Sequence, residues 1–295
     1  PPFSEVTMAT HDPNAVAHRV AEAVDTAWHR THGSGHLDIP VSTIAALSLL
    51  TVPAPDRHHL VDALTRADRE TVLALVSEQW RLFANARPDL ATPVFPLVNV
   101  WYGDTPVSEQ ARQGAHEAAR AALAAGLFDL TGDPHRRHDV DLFGVLLTVM
   151  KSRTAKTVNG AFYTPTHIAD LLAHLTLSAP GPVPSVHEPA IGTGGLWRAA
   201  AQALRDHGHD PARVLWVGAD VDPLAIACAA VNAVLWGLGP RVLLTVGDTL
   251  TDDVITRAHA QRAEAVRLAR EVRKTRRLFA ALDALTHPTR KKEDP

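Results

Sequence analysis

The sequence predicts a mixed α/β protein in which a helical N-terminal domain precedes a doubly wound parallel sheet. Three observations carry this prediction. First, a strand-like run at Val183–Val186 leads through His187-Glu188-Pro189-Ala190-Ile191-Gly192-Thr193-Gly194-Gly195 into an Ala- and Leu-rich helical pattern. A strand, a glycine loop and a helix in that order let backbone approach a bound ligand closely. Second, two later apolar runs, Val214–Gly218 and Arg241–Val246, are each followed by aspartates and are separated by a helical pattern. Third, the chain upstream of about residue 150 reads mostly as helices by the spacing of its apolar residues.

The helical part is expected over residues 1–137. Helices are read at Pro13–Thr31, Pro40–Leu50, Arg57–Asp62, Arg69–Phe83 and Val107–Leu127, with loops rich in Pro, Gly and Asp at Thr51–Asp56 and Thr131–Pro134. Trp80 and Trp101 are read as anchors of packing, since nothing around them suggests base stacking. The α/β part is expected over 138–252. It includes an amphipathic helix from Thr166 to Leu177 and the three strands. Between the second and third strands runs a helix from Leu224 to about Trp236 that is apolar nearly all round and therefore buried. Asp222 before Pro223 is a good N-cap, and Gly237 and Gly239 close that helix. Residues 253–295 form a basic tail, helical from Ile255 to Leu285, in which Arg270, Arg273, Lys274 and Arg277 are candidate phosphate contacts.

The glycine loop and the strand ends suggest a ligand. Gly192, Gly194 and Gly195 can adopt positive φ and bring no Cβ into the approach path. The leading Glu188-Pro189 pair departs from a dinucleotide fingerprint and suits a ligand that carries positive charge beside its nucleoside; S-adenosylmethionine is such a ligand. Asp220 stands at the end of the second strand, where a ribose diol is held. Asp248, after the third strand, is placed to accept from an exocyclic adenine amine.

Phe162-Tyr163-Thr164-Pro165, Glu188-Pro189-Ala190-Ile191-Gly192-Thr193-Gly194-Gly195, Asp220-Val221-Asp222-Pro223 and Gly247-Asp248-Thr249-Leu250 occur in that order. With them the chain resembles the cofactor half of adenine-N6 DNA methyltransferases, above all the modification subunits of type I restriction–modification systems. The resemblance covers about residues 138–252, and Asp141-Leu142-Phe143-Gly144 is similar to the lead-in of those subunits. It implies a Rossmann-like domain that binds S-adenosyl-L-methionine at the topological switch point of its sheet. It implies that Phe162, Tyr163 and Thr164 flank the methionine end, and that Glu188, Ala190 and Gly192 line the amino-acid and ribose path. Gly194 belongs to the same loop, Asp220 holds the ribose, Val221 packs on the adenine and Asp248 accepts from its amine. In complete enzymes of this kind the target adenine amine attacks the methyl carbon in line with the departing sulfur, and the protein mainly orients the reactants.

The same family uses an Asn- or Asp-Pro-Pro-aromatic loop to hold the flipped base. Residues 249–295 contain none, and the only Pro-Pro-Phe is Pro1-Pro2-Phe3 at the opposite end. The domain therefore reads as truncated, and no catalytic residue is assigned. Two alternatives stay open beside the enzyme: a non-catalytic cofactor- or DNA-binding subunit, or one half of a split methyltransferase. The expected partners are DNA, a specificity subunit or a chain that supplies the catalytic loop. A dehydrogenase on the same fold is disfavoured, because Glu188-Pro189 and the Phe162–Pro165 motif have no role in pyrophosphate binding.

Composition narrows the remainder. The 295 residues carry a net charge of −3, so the whole chain is no polycation. Cys228 is the single cysteine and fits a cytoplasmic protein. No apolar run of membrane-spanning length occurs and no signal-peptide pattern opens the chain. The 17 histidines lack ligand spacing, and no metal site is expected.

Overall fold

The computed structural model describes residues 12–154, 164, 166–177, 181, 183–251 and 253–286. It is mostly helical, with one small parallel sheet. The N-terminal helices are α1 (Pro13–Thr31), α2 (Asp38–Ser48), α3 (Ala54–Arg66), α4 (Arg69–Ala86), α5 (Ala91–Tyr102), α6 (Glu109–Ala124) and the short α7 (Leu127–Thr131). α1 starts where Asp12 accepts from the Asn14 N–H and Pro13 presets the first turn. Its Val16, Val20, Val24 and Trp28 are buried at helical spacing, facing the alanine face of α6. Gly114 lets the two helices close up, since a Cβ there would lie 2.8 Å from the Trp28 ring.

Like the short α7, helix α5 is an element that the sequence reading missed. It carries Pro93 and Pro96, which argue against a helix; Pro93 falls in the first turn, where no intrahelical N–H bond is lost. Burial of Pro93, Val94 and Leu97 outweighs the single interior proline. Ser42 locks α5 to its neighbours. Its hydroxyl donates to the Leu97 carbonyl at 2.7 Å and accepts both the Trp80 and Trp101 indole N–H groups at 2.9 Å. Both tryptophans are thus packing anchors.

The second half contains α8 (Leu142–Thr154), α9 (Thr166–Leu177), β1 (Ser185–Glu188), α10 (Gly195–Asp206), β2 (Leu215–Asp220), α11 (Pro223–Leu235), β3 (Val242–Val246) and α12 (Val254–Thr286). The strands are parallel, in the order β1-β2-β3, with Glu188 opposite Gly218 and Asp220 opposite Val246. Alternation along the strands divides the sheet into two faces. Trp216, Val242 and Leu244 join the main core with Trp197 of α10 and the buried length of α11. Val217 and Leu243 point to the other face and meet Ala258 of α12. The basic helix therefore begins as a layer of the sheet and only then runs outward.

The main core is continuous from Val16 of α1 to Leu244 of β3. α11 lies inside it, between the sheet and helices α5 and α8, which explains why its sequence is apolar all round. The described residues contain one winding direction of the two expected. No described strand lies beyond β1, and the chain enters the 33-residue α12 after β3 instead of a fourth strand. The crevice between oppositely wound halves is consequently not formed among these residues. No helix among them is long and apolar enough to cross a membrane.

Candidate cofactor site

The glycine loop is stitched to the strand next door. After β1 the chain turns through Pro189 and Ala190, and Glu188 Oε1 accepts from the Ala190 N–H at 3.2 Å. The Ile191 N–H then donates to the Ala219 carbonyl at 3.0 Å, and Gly194 N–H closes the turn on the Ile191 carbonyl at 2.9 Å. Gly192 and Gly194 have φ of 55° and 97°, the left-handed region that favours glycine. Gly194 is also crowded from outside: a Cβ would lie 3.0 Å from the Trp236 ring.

Asp220 joins the three strand ends. One carboxylate oxygen accepts from the Gly192 N–H at 2.8 Å, and the other from the Asp222 N–H at 2.9 Å. Its carbonyl accepts from the Gly247 N–H at 2.9 Å. The glycine loop, the β2–α11 turn and the β3 exit therefore converge on this residue. A carboxylate offers about four acceptor positions, so two remain for a diol beside the two backbone donors. Val221, next in sequence, is 69% exposed and presents an apolar surface at the strand end. Asp248 follows β3 and accepts from the Leu250 N–H at 2.9 Å through Oδ1. The Thr249 hydroxyl reaches across to the Pro189 carbonyl at 3.2 Å, which brings the loop after β3 over the glycine loop. Asp222 caps α11 as predicted, accepting from Leu224 at 2.9 Å and Ala225 at 3.3 Å. Its other oxygen is paired with Lys151 at the end of α8.

Behind the loop lies a polar cluster that the sequence reading did not assign. Asp141 accepts from the Thr193 hydroxyl at 2.5 Å, the Gly144 N–H at 2.9 Å and the Asn232 amide at 2.9 Å. The Asn232 amide also donates to the Thr193 carbonyl at 2.8 Å. Thr193 and Asn232 are each only 1% exposed. Loss of water pushes the Asp141 carboxyl upward, and its hydrogen bonds to Thr193, Gly144 and Asn232 oppose that shift. One signal was available in the sequence: Asn232 is the single polar residue in the interior of an otherwise apolar helix. Burial, followed by the field of Asp141, raises the Cys228 thiol well above its ordinary value, so it is held as the neutral thiol.

Thr164 is described and exposed, whereas Phe162 and Tyr163 lie outside the described residues. α9 is held on α10 through Ala169 and Ala173 against Ala199 and Ala203, and through the Asp170–Arg198 ion pair. Of the four candidate phosphate contacts on α12, Arg273 donates to the Asn85 carbonyl at the end of α4, at 2.7 Å. Among the described residues no group of three or more His, Cys, Asp or Glu is arranged to hold a metal.

Residues 139–267 match the family model described as N-6 DNA Methylase. Over that segment the chain is N-6 DNA methylase-like, as its four motifs led us to expect. The chain is also similar to the type I restriction-modification system methyltransferase subunit from Streptococcus thermophilus, with 15% identity and a TM-score of 0.43, over 82% of this chain and 60% of that one. It thus spans about 60% of the length of that subunit.

Proposed function

We propose that residues 138–252 bind S-adenosylmethionine and that the chain works in adenine-N6 DNA methylation. The observation that carries this reading is the position of Asp220, whose carboxylate pins the glycine loop at Gly192 while keeping acceptor capacity for a ribose diol. When bound, the cofactor supplies an electrophilic methyl group on sulfur. The chain's own residues bind and orient. Gly192 and Gly194 keep the loop free of side chains, Glu188 and Ala190 line the amino-acid path, Val221 covers one adenine face, and Asp248 accepts from the adenine amine. Thr164, with Phe162 and Tyr163, closes the methionine end. The N-6 DNA methylase match over 139–267 supports the same assignment.

A second reading is favoured by one observation: the chain passes from β3 into the long helix α12. On this reading the chain is the cofactor-binding half of a split enzyme, or a non-catalytic subunit, and a partner brings the catalytic loop or the specificity domain. In either case Arg270, Lys274 and Arg277 on α12 are proposed to face DNA phosphates, with Arg273 partly committed to Asn85.

Calorimetric titration with S-adenosylmethionine, with NAD as control, tests the assignment. Binding of the first alone is the expected result. Asp220→Ala should weaken it by about 1–3 kcal/mol, the scale of a lost buried hydrogen-bonding group. Unchanged affinity in that variant would remove the ribose role.

A further inference from the structure

The outer half of α12 carries an apolar seam that the rest of the chain leaves exposed. Ala258, Gln261, Ala265, Leu268, Val272, Thr275 and Phe279 follow one another at alternating intervals of three and four residues, the spacing of the a and d positions of a coiled coil. In the first turns this stripe is used inside the molecule: Ala258 is buried against Val217 and Leu243, and Gln261 accepts from the Thr245 hydroxyl at 3.0 Å. From Leu268 onward the same stripe faces water. Leu268 and Val272 are each 50% exposed and Phe279 65%, with Leu278 beside them at 60%.

The charges are sorted around this seam. With Val272 and Phe279 as a positions, Arg267, Arg270, Arg273, Lys274 and Arg277 all fall at b, c or f, away from the seam. Glu271 falls at g and Arg276 at e, directly flanking it. In a parallel pair of helices, a g residue meets the e residue five positions further along its partner. Two-fold symmetry then sets Glu271 of each helix against Arg276 of the other, so the seam is complementary to itself in both apolar register and charge.

We propose that a second copy of this chain docks on α12, the two helices pairing in parallel through Leu268, Val272, Thr275 and Phe279. The outer cations point away from the two-fold axis, so pairing leaves them accessible. The inference is independent of the cofactor reading, since it uses no residue of that site.

Sedimentation equilibrium of the full chain tests it. A reversible dimer is expected, and Phe279→Glu should convert it to monomer with unchanged helical circular dichroism. Glu271→Arg should weaken the dimer by about tenfold, from two attractive pairs turned repulsive. Combining it with Arg276→Glu should restore the affinity, which only a helix facing its own copy in this register does. A chain that is monomeric up to its solubility limit overturns the proposal. So does a dimer indifferent to Phe279→Glu, a charge swap that fails to rescue, or a seam covered only when DNA or a different protein is added.

Discussion

Asp141 shows how one buried side chain can set the shape of the glycine loop from behind. It serves a threonine hydroxyl, an asparagine amide and a backbone N–H together. Asp141→Ala would strand all three donors in a site poor in water, and should cost about 2–4 kcal/mol of stability in urea denaturation. Asp141→Asn, which keeps the shape, should cost less. His138 gives a pH prediction. Burial, then the field of Arg205, depresses its imidazole from 6.5 to about 4. Between those values the unfolded chain binds more protons than the folded one, so stability rises with pH there. The contribution is fully present above about 6.5 and is lost as pH falls to about 4. The raised Asp139 and Asp141 carboxyls act in the opposite sense at the acid end, so the comparison must be with a variant. His138→Gln should flatten the acid limb of the stability curve, and an identical limb in both proteins would remove His138 from the account.

At the scale of elements, the glycine loop is built by neighbours as much as by its own sequence. Gly194 combines φ of 97° with the Trp236 ring at its back. Gly194→Ala should therefore cost more than the roughly 1 kcal/mol of a backbone penalty alone, and should lower cofactor affinity with it. Gly218, in the middle of β2, is equally constrained: a Cβ would lie 2.6 Å from the Ile191 side chain. Gly218→Val should displace the loop, and a thermal melt beside a binding titration would register both losses. Asp222 ends the β2–α11 turn by capping α11 and pairing with Lys151. Asp222→Ala should cost about 1 kcal/mol for the cap.

At the scale of the molecule, the helical N-terminal half and the sheet share one core. α11 fills the space between them, so the α/β half lacks a finished surface on its own. Residues 138–286 expressed without α1–α7 should expose the apolar side of α11 and aggregate. Size-exclusion chromatography of that fragment checks this, and a soluble, cofactor-binding fragment would show that the two halves are energetically separate. In the full chain, tryptophan fluorescence and far-ultraviolet circular dichroism should report one coincident unfolding transition, since Trp28, Trp80, Trp197, Trp216 and Trp236 all lie in that core.

By itself the sequence determined the local grammar. Asp222 caps the helix that follows it, apolar periodicity located α1, α4, α9 and the three strands, and Asp220 was legible at the strand end from which it pins the glycine loop. These features are encoded within a few residues of one another, so a linear reading reaches them. Three features depended on packing between distant parts of the chain. Helix α5 forms despite Pro96 because its other face is buried. Asp141, Thr193 and Asn232 meet although 91 residues separate the first from the last. The opening turns of α12 serve as a layer of the sheet while its outer turns carry an exposed seam. Burial energies are summed over neighbours brought together from across the chain, and no local spacing records which neighbours those will be.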